Sequence, residues 1–285
     1  MTHSFTRRAL GATLLLPALW AGCDDTTEPP IVDMGTHHVD QDLPPLECEA
    51  TGAEVRYRIT TLHIPTPDEA DGGATVGQNV DDADSVCGVP DYPGGVDNSL
   101  IDLNAALPAL APDDPIDLQA EIDNALGCPS DASPAECTRL DLVVGVTPGS
   151  ACANVQVRNG AGEALAAPFV AHATNGTLRG RVPQLALSIP YQAETMAVDI
   201  DLSVTNVVLS AEISEGALTN IVIGGSLAQV AFEDTIRDLL PLLGGEISFE
   251  DIRGILSNLY DVQLGGTCAA LSVGLTGSAT AVGEP

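Results

Sequence analysis

The feature of this chain that most restricts its fold is a two-residue alternation of apolar and polar side chains in the C-terminal half. Between Val198 and Val204 every second residue is apolar, and the residues between them, such as Asp199, are polar. A period of two places the apolar side chains on one face of a β-strand and leaves the other face for water. The same alternation recurs at 185–189 and 271–275. The sequence therefore predicts antiparallel strands that each bury one face.

The phase of the alternation changes after Val204, because Val207 and Leu209 lie an odd number of positions downstream. A shift of one residue moves every following side chain to the other face of a strand. The sequence predicts either a β-bulge near Asn206 that corrects the register or a turn that ends the strand there.

Helical signals interrupt the strands in both halves of the chain. Asp97 and Asn98 can cap a helix that ends at Pro108, and Asp114 can cap a second helix that ends at Gly127. Residues 65–97 before them are predicted to be loop, because Pro, Gly, Asp and Asn dominate that stretch.

Two further helices are predicted before the last strand. One carries apolar residues at helical spacing from Leu227 to Pro241, and the other begins at Ser248, three residues before Asp251. Alternating parallel βαβ units are absent from the pattern. We therefore predict a mainly β (α+β) fold, with an antiparallel sandwich-like body and a few peripheral helices.

The first 22 residues have the pattern of a signal peptide. Arg7 and Arg8 precede an apolar run from Ala9 to Ala21. The run holds roughly 12 apolar residues, fewer than the ~20 that a membrane-spanning helix needs. We expect residues 1–22 to be removed on export.

The end of this segment, Leu19-Trp20-Ala21-Gly22-Cys23, resembles the lipobox of bacterial lipoproteins. The resemblance implies cleavage before Cys23 and acyl chains on its sulfur, which would attach the protein to a membrane. An ordinary secretory signal is the alternative. Ser4 to Leu10 also resembles a twin-arginine signal, so the export route stays open.

Six further cysteines follow Cys23 in the chain. An even number of cysteines in an exported protein implies disulfides, although the sequence does not choose the pairing. A zinc cluster is the alternative, but no CxxC pair is present. Cys128 and Cys137 bracket a short loop that could close on itself. The six residues are Cys48, Cys87, Cys128, Cys137, Cys152 and Cys268.

The sequence divides the mature chain into a tether and a folded body. Residues 23–47 are acidic, contain several prolines and lack apolar periodicity, which is typical of a flexible tether. The body, 48–285, is predicted to be one domain. A division into a helix-containing half at 48–170 and a sheet-rich half at 176–285 is the alternative.

The charge balance excludes several classes of function. Ten basic residues, all arginine, face 40 acidic residues, and Arg7 and Arg8 leave with the signal. A chain this anionic is unsuited to nucleic acid or to anionic lipid head groups. Without lysine it cannot form a Schiff base with a carbonyl substrate or with pyridoxal phosphate. A cation or a cationic partner fits the charge, and simple colloidal repulsion is the alternative.

The acidic loop between 79 and 98 is a candidate calcium site. Calcium takes six to eight oxygen ligands, and closely spaced carboxylates can supply them. We predict calcium as the one candidate cofactor, and a solvated acidic loop is the alternative. The candidate ligands are Asp81, Asp82, Asp84, Asp91 and Asp97.

Two blocks flank this loop, Leu62-His63-Ile64-Pro65-Thr66 and Gly95-Val96-Asp97-Asn98-Ser99-Leu100. With the acidic loop, they resemble an uncharacterised set of surface lipoproteins from high-GC Gram-negative bacteria, over residues 55–130. The loop of those relatives is similar to a compact DxDGDG calcium loop, which Cys87 and Pro90 expand here. The resemblance implies a surface lipoprotein and carries no known activity.

No catalytic motif accompanies the histidines of the predicted body. His63 and His172 have no GxSxG, HExxH or phosphate-binding glycine-lysine motif near them. We therefore predict no catalytic residue and expect a non-enzymatic, membrane-anchored envelope lipoprotein that binds a cation or a partner. The alternative is an extracytoplasmic hydrolase, which should show a deep pocket with convergent polar groups around His63 or His172.

Overall fold

A computed structural model describes residues 47–83, 87–110, 116–129, 131–132, 137–192, 197–242 and 248–283. Every described residue lies in one compact unit. The predicted signal peptide, Cys23, Asp84 and all of the tether except Glu47 lie outside the described residues.

The described part contains nine β-strands, five α-helices and one short 3-10 helix at Leu240–Leu242. The strands are β1 Val55–His63, β2 Leu142–Pro148, β3 Cys152–Asn159, β4 Phe169–Thr174, β5 Thr177–Gln192, β6 Ala197–Ser214, β7 Ala217–Ala228, β8 Val262–Leu264 and β9 Thr267–Val282. The helices are α1 Pro67–Asp71, α2 Ser99–Leu110, α3 Leu118–Gly127, α4 Gln229–Leu239 and α5 Phe249–Leu256.

All nine strands belong to one antiparallel sheet, in the order β1-β2-β3-β4-β5-β6-β7-β9-β8. Strand β9 also pairs with β1, between Arg56 and Val282 at one end and His63 and Thr276 at the other. Eight strands therefore form a closed ring. The predicted mainly β, antiparallel fold with a few helices is confirmed, and strands from both predicted halves lie in this one sheet.

The change of phase after Val204 is a β-bulge within one continuous strand. Asn206 adopts φ 52°, and the pairing of β6 with β7 shifts register between Thr205 and Val208. After the bulge Leu209 points into the core, as Val204 does before it. The first of the two sequence alternatives is confirmed.

Three predicted helix ends are wrong. Helix α2 passes Pro108 and ends at Leu110. Helix α3 begins at Leu118, because the side chain of Asp117 accepts hydrogen bonds from the first turn; the predicted cap Asp114 lies outside the described residues. Helix α4 begins at Gln229, since Leu227 is still paired with β9 in strand β7. The predicted cap of α5 is confirmed by a hydrogen bond of 3.2 Å from the Asp251 N–H to the Ser248 hydroxyl.

The six cysteines of the body form three disulfides: Cys48–Cys152, Cys87–Cys268 and Cys128–Cys137. The predicted disulfides are confirmed, including the short loop closed by Cys128 and Cys137. Disulfides persist in oxidising compartments, so the body belongs outside the cytoplasm. Among the described residues, no helix is long and apolar enough to cross a membrane.

Candidate functional site

A cavity of about 120 Å³ lies between the apolar face of the sheet and helices α2 to α5. Leu187, Val204 and Val273 line it from the sheet. Leu103 and Ile252 line it from the facing helices. Its surface is entirely apolar, so this cavity can hold a hydrocarbon group but offers no acid, base or nucleophile.

Atoms that line an unfilled space lack contact partners on one side. Packed interiors contain few voids larger than a water molecule. An apolar ligand that filled the cavity would supply such contacts.

One end of the cavity reaches the surface. The deep lining residues Ile122 and Val204 are each only 1 % exposed. Ile116, Tyr191 and Leu239 line the same cavity but are half-buried. The other half-buried residues of the lining are Leu118, Ile200, Leu202, Phe232 and Ile236. We call this half-buried part of the lining the mouth, and Ile116, Tyr191 and Leu239 belong to it.

A buried polar cluster anchors the acidic loop and α2 to strand β9. Strand β8 pairs with β9 up to Ala270, and β1 pairs with it from Thr276 onward. Ser272 and Gly274 lie between these two partners, on the edge of β9 opposite β7. The Ser272 N–H donates to Asp261 at 2.8 Å, and the Gly274 N–H donates to Asn98 at 2.8 Å. Side chains thus complete the hydrogen bonding that a strand would otherwise supply.

The same cluster fixes the start of the helix that lines the cavity. The N–H of Ser99, the first residue of α2, donates to the Ser272 hydroxyl at 2.7 Å. That hydroxyl in turn donates to Asp261. The block from Gly95 to Leu100 is one of the two blocks that resemble surface lipoproteins. It therefore has a structural role here.

Asp97, a predicted calcium ligand, is 2 % exposed, and its carboxylate accepts the Val80 N–H at 2.6 Å. Burial raises the pKa of Asp97 to about 7, and the nearby carboxylates of Asp81, Asp261 and Asp91 raise it too, against the Val80 hydrogen bond. Burial also raises the pKa of Asp261. The environment of Asp97 thus favours its protonated form below about pH 7.

The other predicted calcium ligands have separate contacts. Asp81 accepts the Ala83 N–H at 3.0 Å, and Asp82 lies 3.6 Å from the Arg181 guanidinium. Within the described ranges, no three His, Cys, Asp or Glu side chains come together as a metal site. Asp91 also has an interaction partner, and Asp84 lies outside the described residues. The calcium site stays a prediction.

His63 borders an open groove of about 660 Å³ whose lining is both polar and apolar. Its Nε2 lies 2.9 Å from Oε2 of Glu69. Glu69 also accepts hydrogen bonds from the backbone and hydroxyl of Thr66, which caps α1. The hydrogen bond from His63, followed by those from Thr66, lowers the pKa of Glu69 to about 2. The pair can bind a polar group, but Glu69 already serves as a cap.

His172 lies on β4, opposite Cys152 of β3 and Arg179 of β5. Its Nε2 is buried and has no hydrogen-bond partner in the part of the chain that the structure describes. The structure does not bring His172 and His63 together, since they lie on β4 and β1, two non-adjacent strands.

Sequence reasoning missed the apolar cavity. The sequence shows the apolar stripes of α2 and α5, but a stripe alone does not show whether the facing side chains fill the space between helix and sheet.

In the comparisons with known proteins, no family model matches the chain, and neither a curated protein nor a solved structure matches it. The resemblance to surface lipoproteins therefore stays a prediction.

Proposed function

We propose that this protein is a non-enzymatic lipoprotein of the bacterial cell envelope, anchored by acyl chains on Cys23, whose folded body binds a cation or a cationic partner. The three disulfides support the extracytoplasmic location. The short apolar run before Cys23 and the acidic segment after it support the anchor and the tether.

The single observation that carries the binding proposal is the pairing of the arginines. Seven arginines in the described part of the chain lie within ion-pair distance of a carboxylate, against 40 acidic residues in the sequence. Because local partners take up the positive charge, most carboxylates are left to set a negative surface potential. The seven are Arg56, Arg58, Arg139, Arg158, Arg181, Arg237 and Arg253.

The buried carboxylates support a non-enzymatic role, because they hold the fold together. Asp97 and Asp261 accept backbone N–H groups of the acidic loop and of β9. Glu233 of α4 accepts the Tyr260 hydroxyl at 3.1 Å and lies 3.7 Å from Arg253 of α5. Groups engaged in this way stabilise loops and helices.

Expression of the full chain in a Gram-negative host tests the anchor. The wild type should sediment with membranes and yield an N-terminal peptide that begins at acylated Cys23. Cys23→Ser should move the protein to the soluble fraction. A wild-type peptide that begins at Cys23 without lipid mass would contradict the anchor.

Binding to a deca-arginine peptide tests the cationic partner, with a deca-glutamate peptide as the control. We expect binding of deca-arginine that weakens steeply as the salt concentration rises, since screening acts on exposed charges. If binding of deca-arginine does not change with the salt concentration, the proposal that surface charge binds the partner is contradicted.

One observation favours the alternative hydrolase, namely the His63 and Glu69 pair in the lining of the open groove. A hydrolase of this kind should lose its activity on short-chain esters in His63→Gln and keep it in His172→Gln. Equal activity of His63→Gln and the wild type would exclude this alternative for His63.

A further inference from the structure

We propose that the apolar cavity between the sheet and helices α2 to α5 binds the hydrocarbon end of an amphiphile whose head group is neutral or cationic. This ligand site goes beyond the proposed envelope function. It does not depend on the anchor at Cys23 or on the surface that attracts cationic partners.

The lining determines the chemistry of the buried part of the ligand. Leu103, Ile122 and Ile252 face the cavity from the helices, and Leu187, Val204 and Val273 face it from the sheet. Because the surface of the cavity is entirely apolar, a polar group inside it would lose its hydrogen bonds to water without replacement. The buried part of the ligand is therefore a hydrocarbon.

The volume determines the size of that part. A cavity of about 150 Å³ lined by Leu, Ile and Phe stays dry and binds benzene. The cavity here is about 120 Å³, which is enough for a small ring or a short alkyl chain. A longer chain would extend through the mouth.

The mouth determines where the head group lies. Because Ile116, Tyr191 and Leu239 are half-buried, a chain inserted past them keeps its polar end in water. Exposed carboxylates adjoin the lining residues in sequence: Asp117 follows Ile116, and Asp238 precedes Leu239. The exposed Arg237, which follows Ile236, is paired with Asp234. An anionic head group would be repelled there, whereas a neutral or cationic one would not.

Three ligands with the same six-carbon tail test the proposal on the full chain carrying Cys23→Ser, so that no acyl chain competes. They are 1-hexanol, hexylamine and hexanoate. A ligand that binds only the folded state raises the thermal midpoint. We expect hexanol and hexylamine to raise the midpoint and to bind with one-to-one stoichiometry in calorimetry, and hexanoate to bind about tenfold more weakly, which corresponds to 1.4 kcal/mol.

Two matched leucine variants locate the binding. Leu103→Phe adds volume inside the cavity, so it should abolish the response to hexanol without lowering the midpoint of the free protein. Leu218→Phe adds the same volume at a buried position that does not line the cavity, so it should lower the midpoint but keep the response. If Leu103→Phe does not fold, Ile252→Phe fills the cavity from α5.

Three outcomes would overturn the proposal. The first is no rise of the midpoint with either hexanol or hexylamine. The second is an unchanged response to hexanol in a folded cavity-filling variant. Equal affinities for hexanoate and hexylamine would overturn the assignment of the head group.

Discussion

Asn98 and Gly274 exchange two hydrogen bonds across the open stretch of strand β9: the Gly274 N–H donates to the Asn98 side chain, and the Asn98 amide donates to the Gly274 carbonyl at 3.1 Å. Asn98 also donates to the Val76 carbonyl at 2.6 Å. One side chain thus connects the loop before α2 to the closing strand of the ring. A Cβ at position 274 would lie 2.6 Å from the Val76 carbonyl oxygen, so the close approach requires glycine.

Replacing Asn98 by alanine should destabilise the fold by about 2–4 kcal/mol, because it leaves buried backbone groups of Gly274 and Val76 without partners. Denaturant unfolding measures the difference. Asn258→Ala is the control, since the exposed Asn258 donates one hydrogen bond to Gly254, and it should cost less than about 0.5 kcal/mol. Similar losses for both variants would contradict the role of Asn98.

Raising the pH from about 4 to about 7 should weaken the fold through Asp97. Since the pKa of this buried carboxyl is raised from 3.8 to about 7, the folded chain retains a proton that the unfolded chain releases. The stabilisation is fully present below about pH 4 and is lost as the pH rises through about 7. The raised pKa of Asp261 acts in the same direction.

Unfolding curves of the wild type and of Asp97→Asn between pH 4 and 8 measure this effect. Asparagine keeps an acceptor for the Val80 N–H and cannot ionise. The stability of Asp97→Asn should therefore fall less over this range. Parallel pH profiles for the two proteins would show that Asp97 does not carry the dependence.

The disulfide between Cys87 and Cys268 should stabilise the fold more than the one between Cys128 and Cys137. The first pair spans 181 residues and the second spans 9. In the chain-entropy model, this difference in loop length corresponds to about 2–3 kcal/mol. Denaturant unfolding of the double variant Cys87→Ser, Cys268→Ser and of the double variant Cys128→Ser, Cys137→Ser compares the two disulfides. A larger loss for the short loop would contradict the entropic account.

Calcium should raise the thermal midpoint if Asp81, Asp82, Asp84, Asp91 and Asp97 form a site, because a ligand of the folded state stabilises it. A melt with millimolar calcium and then with chelator measures the shift. Magnesium is the control, since it demands a smaller octahedral site. An unchanged midpoint in calcium would end the calcium hypothesis.

Local signals predicted the strands and the cap of α5, because alternation and capping act over a few residues. The bulge at Asn206 was predictable for the same reason, because the phase of the apolar-polar alternation changes after Val204. By contrast, the closing of the ring depends on Arg56 meeting Val282, and no local pattern encodes that pairing.

The candidate site could not be predicted for a similar reason. Leu103 of α2 and Val273 of β9 are distant in sequence, and the space between them depends on how two packed layers meet. Asp97 and Asn98 were expected as caps and Asp97 also as a metal ligand. Their actual partners, Val80 and Gly274, become neighbours only after the loop folds against β9.

The pairing of the first strand with the last has a consequence for biosynthesis. Strand β1 is synthesised before β9, so β1 has one of its two neighbours only after β9 has emerged. Until then, β1 and β7 each expose an edge without a partner strand. Such an edge can form backbone hydrogen bonds with a strand of another chain. A chain interrupted before residue 267 is therefore expected to associate with its copies more readily than a chain that contains β9.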